Sequence, residues 1–142
     1  MRSVRSSPAL MRANIMERSS HYPEAQNGVY VLMMALGREM DIRIGRIGDR
    51  HFRRGIYFYV GSAARNLESR VSRHLRGAKT QHWHIDYFLR YGKPVAVLCI
   101  FTSRTGAECR VAEVLREKFQ SIPGFGSSDC KCESHLFYQD AE

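Results

Sequence analysis

The run "GIYFYVG", from Gly55 to Gly61, leaves this chain little choice of local structure. Its β-branched and aromatic residues favour an extended backbone, and a strand sends successive side chains to opposite faces. Tyr57 and Tyr59 therefore share one face, and Ile56, Phe58 and Val60 share the other. A glycine at each end closes the run.

Other runs of the same kind surround it. "NGVYVLMMAL" reads as a first strand, and "MDIRIGRI" as a second, with Met40, Ile42, Ile44 and Arg46 on one face. Gly37 and Arg38 between them predict a hairpin of these two strands. After the charged loop "GDRHFRR", "GIYFYVG" is the third strand. "PVAVLCIF" is a fourth, apolar throughout and so expected to be buried on both faces.

Helical patterns lie between and after these runs. "NLESRVSRHLRG" places Leu67, Val71 and Leu75 on one stripe, with Asn66 as its cap and Gly77 as its end. "HWHIDYFLRYG" predicts a short helix, and "TGAECRVAEVLREKF" the best-formed one. The tail, "SIPGFGSSDCKCESHLFY", is rich in Gly and Ser and ends in a short apolar segment, Leu136 to Tyr138. The fold class is α+β: a small, mainly antiparallel β-sheet packed with helices.

A chain of 142 residues suits one domain, expected over residues 27–142. Residues 1–26 show no sustained hydrophobic period and read as a basic leader, with Met11 and Met16 as alternative starts. The longest uncharged apolar stretch, "NGVYVLMMALG", is too short to span about 30 Å of hydrocarbon, so no membrane partner is expected. Four cysteines, scattered between an apolar run, a helix and a C-x-C, do not resemble a secreted disulfide framework; a reduced, cytoplasmic protein is the simpler account. The net charge of +8 points to a polyanionic partner, nucleic acid first.

A few residues conflict with their surroundings. On the last helix, at about 100° per residue, Glu108 falls on the apolar face of Val111, Ala112, Leu115 and Phe119. A carboxylate on a core stripe needs a partner or a metal, unless it reaches solvent from the first turn, beside the helix dipole. On the first helix, Arg70 and His74 share one side and flank the buried stripe, at the rim of the core; a snorkelling arginine and a surface histidine are the bland alternative. Tyr30 lies in the first strand. A strand tyrosine is ordinarily a core residue, and acting as a base would require a cation such as Arg70 to lower its ordinary pKa of about 10.

"GVY" at Gly28–Tyr30 and "YVG" at Tyr59–Gly61 resemble the two signature strands of the GIY-YIG nucleases. "SAARNLESRVSRH" resembles the first helix of that family, with its arginine at Arg70 and its histidine at His74, and Glu108 stands where the metal-binding glutamate is expected. The literal "GIY" of residues 55–57 abuts "YVG" in one strand, which cannot pair with itself, so the functional pair is Tyr30 with Tyr59. The separation between the two signatures is longer than usual, with "MDIRIGRI" inserted as an extra strand. Together with "IRIGRIG", "WHIDYFL", "EC" and "GFGSSDCKCESHLFY", this order resembles the small Uri-superfamily endonucleases over about residues 27–138.

The resemblance implies a metal-dependent endonuclease hydrolysing phosphodiester bonds in DNA or a related nucleic acid. Glu108 would hold Mg²⁺ or Mn²⁺. Tyr59 or Tyr30 would orient or deprotonate water, Arg70 would stabilise charge on phosphorus and favour tyrosinate, and His74 would assist proton transfer or bind a phosphate. Two other classes are open: a catalytically inactive nucleic-acid-binding module, and a zinc-stabilised interaction domain. Cys130, Cys132 and His135, with Cys109, are candidate zinc ligands; C-x-C-x-x-H departs from the usual spacing and leaves the fourth ligand unassigned, so packed reduced thiols are the simpler reading. His82, His84, Asp86 and Asp129 are further potential ligands, with His84 and Asp86 either lining a groove or capping the short helix.

Overall fold

The computed structural model describes residues 27–76, 81, 83–128 and 130–140. The expectations for the leader 1–26, for Gly77 as a helix end, and for His82 and Asp129 as ligands lie outside the described residues.

Five strands form one sheet in the order β5-β1-β4-β7-β6. They are β1 (Gly28–Leu36), β4 (Gly55–Ala63), β5 (Lys93–Phe101), β6 (Gln120–Ser121) and β7 (Leu136–Asp140). Every pairing is antiparallel. The α+β class follows.

Strand alternation divides the core in two. On one face Tyr30, Leu32, Met34, Tyr57 and Tyr59 pack with Leu67 and Val71 of α1 (Leu67–Leu75) and with Ile85 and Phe88 of α2 (His84–Phe88). On the other, Val29, Val60 and Phe137 pack under Ala112, Val111 and Leu115 of α3 (Ala107–Lys118) and under Phe119 just beyond its end, the stripe its sequence predicts. No helix among the described residues is long and apolar enough to cross a membrane.

Two strand expectations are corrected. β2 (Met40–Arg43) does not form a hairpin with β1; it pairs with β3 (Asp49–Phe52), inside the segment read as a charged loop. Both hydrogen-bonding edges of β1 are already taken, by β4 and β5. The chain reverses instead through Gly45 and Gly48, whose φ angles of 50° and 78° lie in the region open to glycine. Ile42 and Ile44 still point into the main core, but the alternation stops there: Gly45–Ile47 form a 3-10 turn, in which Arg46 is exposed and Ile47 packs against the core.

β5 is not buried on both faces. It is an edge strand, and Leu98 and Ile100 are 60% and 37% exposed, while Val97, Cys99 and Phe101 pack inward.

Candidate active site

The site lies where β1 begins and β4 ends. The register sets Tyr30 opposite Gly61 and Leu32 opposite Tyr59, so the two tyrosines are diagonal neighbours on one face, ring centroids 6.2 Å apart. Tyr30 lies directly across Gly61: a Cβ there would come within 2.3 Å of the Tyr30 ring and hydroxyl. At Gly28 a Cβ would meet the Ile100 carbonyl at 2.2 Å. Each signature glycine thus has a steric cause: one admits a tyrosine, the other a neighbouring strand.

α1 follows β4 through Asn66, whose φ of 61° is left-handed; its side chain makes no capping hydrogen bond, unlike the cap its sequence predicts. One turn apart on this helix, Arg70 and His74 point to different surroundings. Arg70 Nη1 donates to the Ser62 carbonyl at 2.8 Å, and its guanidinium stacks 4.6 Å from the Trp83 ring. His74 does not sit at the rim of the core. It is buried, and its Nε2 shares a 2.6 Å hydrogen bond with the Tyr30 hydroxyl. Burial, helped by the neighbouring Tyr59, pushes the Tyr30 hydroxyl well above its ordinary value, and Arg70 does not offset this. Tyr30 is a phenol here and not the tyrosinate that Arg70 was expected to favour.

Glu108 stands in the first turn of α3 with both carboxylate oxygens engaged. Ser62 Oγ donates to Oε1 at 2.5 Å, and His135 Nδ1 lies 2.8 Å from Oε2, off the line of an ideal hydrogen bond but in ion-pair range. Burial pushes this carboxyl up. The contacts from His135 and Ser62, and the charges of His135 and Arg70, outweigh it and hold the group below its ordinary value. Tyr30, Tyr59, Ser62, Arg70, Trp83, His84 and Glu108 line one cleft of about 340 Å³. A second groove, along Thr102, Ser103 and Arg104, reaches Glu108 from the β5 side.

Beside the cleft, Cys109, Cys130, Cys132 and His135 bring their ligand atoms within 4.8 Å of one another, and these four could hold a metal ion. All four cysteines are free of disulfides. Burial, then hydrogen bonds with Cys109 and Cys130, push the Cys132 thiol up. The candidate group that lies outside the C-x-C-x-x-H segment, Cys109, is brought to it by α3.

A sequence model of the family described as "Domain of unknown function DUF123" matches residues 29–142, from the start of β1 to the C-terminal end. The chain belongs to the DUF123 family. Among curated proteins and among solved structures nothing matches it.

Of the residues that sequence reasoning selected in this DUF123 chain, Tyr30, Tyr59, Arg70 and Glu108 meet in the cleft, and His74 adjoins it through Tyr30. His84 and Asp86 divide the two roles left open for them. His84 lines the cleft, and its Nδ1 accepts the Gly126 N–H at 2.8 Å; burial, then the charge of Arg50, lower its pKa. Asp86 caps α2 by accepting the Trp83 N–H at 2.9 Å, and it takes a two-pronged contact from Arg73 at 2.9 and 3.1 Å. Three residues escaped sequence reasoning. Ser62 has the one legible cue, since it directly follows "YVG". Trp83 takes the guanidinium groups of Arg70 and Arg73 over its ring, and Gly126 binds His84; both contacts exist only in the fold.

Proposed function

We propose that this DUF123 chain is a metal-dependent endonuclease of the GIY-YIG kind, in the Uri-superfamily subgroup, hydrolysing phosphodiester bonds in DNA or a related nucleic acid. The observation that carries the reading is the convergence of Tyr59, Arg70 and Glu108, from a strand and two helices, on one cleft. The resemblance of "GVY", "YVG" and the Arg70–His74 helix supports it. So does the net charge of +8, because phosphates supply most non-specific affinity for nucleic acid.

Glu108 fits a hard divalent ion. Its carboxyl is held below its ordinary value, is partly exposed and lines the cleft, and each oxygen has a lone pair beyond its protein contact. Mg²⁺ and Mn²⁺ suit such a site, because a single carboxylate can hold an ion whose other ligands are water and substrate phosphate. When bound, the ion supplies charge stabilisation to the phosphate and the leaving 3′ oxygen.

The chain's own groups do the rest. Arg70 gives one N–H to Ser62, and the remaining donors of its fork serve a phosphate oxygen as charge builds on it. Tyr59 presents its hydroxyl to orient the attacking water and pass its proton on. Tyr30 stays protonated, and its ring and the His74 imidazole hold the floor of the cleft in place.

The test is a cleavage assay with Mg²⁺ or Mn²⁺ over a panel of single-stranded, flapped, nicked and duplex DNA and RNA. Cleavage by the parent chain, lost in Glu108→Gln with salt-sensitive DNA binding retained, is the expected result. Salt-sensitive binding by the parent without cleavage under any condition replaces the reading with a binding module.

A further inference from the structure

Three separate segments bring sulfur and nitrogen to one point. Cys109 comes from the first turn of α3, Cys130 and Cys132 from the loop after Phe125, and His135 from the residue before β7. A tetrahedral ion with metal–sulfur bonds of about 2.3 Å and a metal–nitrogen bond of about 2.05 Å sets the nitrogen–sulfur edge at roughly 3.5–3.6 Å. The separation of His135 Nε2 from Cys130 Sγ is 3.5 Å. Sulfur ligands are soft and disfavour Mg²⁺, and four protein ligands leave no open position, as in a structural site.

His135 is held for this task. Its N–H donates to the Phe125 carbonyl at 2.8 Å and its own carbonyl accepts from Val60 at 2.9 Å, so its backbone is clamped between the loop and β4. Its ring is buried, with Nε2 toward the sulfurs and Nδ1 toward Glu108. An imidazole that ligates a metal through Nε2 carries its proton on Nδ1 and donates it to an outer partner, commonly a carboxylate. Glu108 Oε2 lies on that side of the ring, 2.8 Å from Nδ1 and in ion-pair range.

We propose that Cys109, Cys130, Cys132 and His135 bind one zinc ion, and that through His135 this ion fixes the position of Glu108. The cysteine protons leave to solvent as the thiolates coordinate. Zinc then holds Glu108 from two sides: through its chain neighbour Cys109, and through the His135 ring, whose Nδ1 lies 2.8 Å from Oε2. The ion also ties α3 to a loop whose described residues between Ile122 and His135 form no helix or strand. The metal site stands on its own geometry; only the consequence for cleavage rests on the nuclease reading.

The experiment measures metal content in the full chain purified from zinc-replete medium, followed by competition for zinc against a chromophoric chelator. One equivalent of zinc per chain is expected, with Co²⁺ substitution giving the visible bands of a tetrahedral thiolate site. Glu108→Gln should keep the stoichiometry and weaken zinc affinity by roughly 10–100-fold, the usual effect of altering an outer partner. A folded chain that takes up neither Zn²⁺ nor Co²⁺ overturns the metal site. Unchanged zinc affinity in Glu108→Gln overturns the link to Glu108. A chain that cleaves nucleic acid but holds no zinc refutes this inference alone; one that holds zinc and cleaves nothing refutes the nuclease reading alone.

Discussion

Gly61→Ala puts the packing of the site to a quantitative test. The added methyl would lie 2.3 Å from both Cζ and the hydroxyl oxygen of Tyr30, and 2.8 Å from Cε1. Comfortable carbon contacts are about 3.5–4.0 Å, so the ring must move by more than an ångström. It has little room, being 2% exposed and tied to His74 at 2.6 Å. Overpacking of this kind costs about 1–3 kcal/mol, and losing the hydrogen bond to His74 adds about 0.5–1.5 kcal/mol. Against this, Gly61 is not among the glycines with positive φ, so alanine stabilises by about 0.4–1 kcal/mol through the unfolded chain. The net loss is roughly 0.5–4 kcal/mol, centred near 2 kcal/mol, measured by urea unfolding. The control is Tyr30→Leu, whose shorter side chain removes the obstructing atoms. In that background Gly61→Ala should be neutral or slightly stabilising. An equal loss in both backgrounds would refute the argument that Gly61 is there to admit Tyr30.

Four further outcomes follow from individual residues. Tyr59→Phe should slow cleavage on the order of 10²-fold with its melting temperature nearly unchanged, whereas Tyr57→Phe should cleave within a few-fold of the parent. Tyr57→Phe should instead lose about 1 kcal/mol in denaturant unfolding, because the Tyr57 hydroxyl donates to the Arg53 carbonyl at 2.6 Å, away from the cleft. Arg73→Met leaves the fully buried Asp86 carboxylate without its two-pronged partner and should cost about 3–5 kcal/mol by the same measurement, with a smaller loss in the Arg73→Met, Asp86→Asn double variant. In an NMR titration, the exposed His51 should titrate above its ordinary 6.5, held up first by Asp41 and then by Glu39, and Asp41→Asn should bring it down. The sign is that of a raised pKa: the contribution of this pair to β2–β3 is complete below pH 6.5 and is lost as pH rises through the folded value.

Much of the site was readable because its residues break local rules. Glu108 interrupts an apolar stripe, and its first-turn position and its protein partners turn out to coexist. The alternation of "GIYFYVG" sends Tyr57 and Tyr59 to one face in sequence and in structure alike. What was misread depends on neighbours that no local pattern reveals. "PVAVLCIF" reads the same at a sheet edge as at its centre, because apolar content does not say which edges of a strand are paired. "MDIRIGRI" shows which residues point inward but not that β1 has no edge left for it. The zinc spacing looked incomplete for a similar reason: Cys109 lies far along the chain from Cys130 and meets it only once α3 has packed on the sheet.

A short strand explains why so much converges at one place. β7 covers the edge of β4 only from Gly55 to Tyr59. Beyond that point Val60 N–H finds the His135 carbonyl, and the next outward-facing carbonyl on that edge, Ser62, has no strand beside it. Arg70 supplies this partly buried carbonyl with the N–H that a longer β7 would have supplied. The Ser62 side chain turns to the α3 face and takes Glu108, while Gly61 opens the opposite face to Tyr30. Two adjacent residues thus offer contacts in three directions, which a strand paired on both edges cannot do. His135 stands just before β7 joins the sheet, so its side chain is free to bridge Glu108 and the cysteines. Extending β7 by two residues would close this edge, displace Arg70 from Ser62 and draw His135 into the ladder; the early end of that strand makes room for both the cleft and the sulfur cluster.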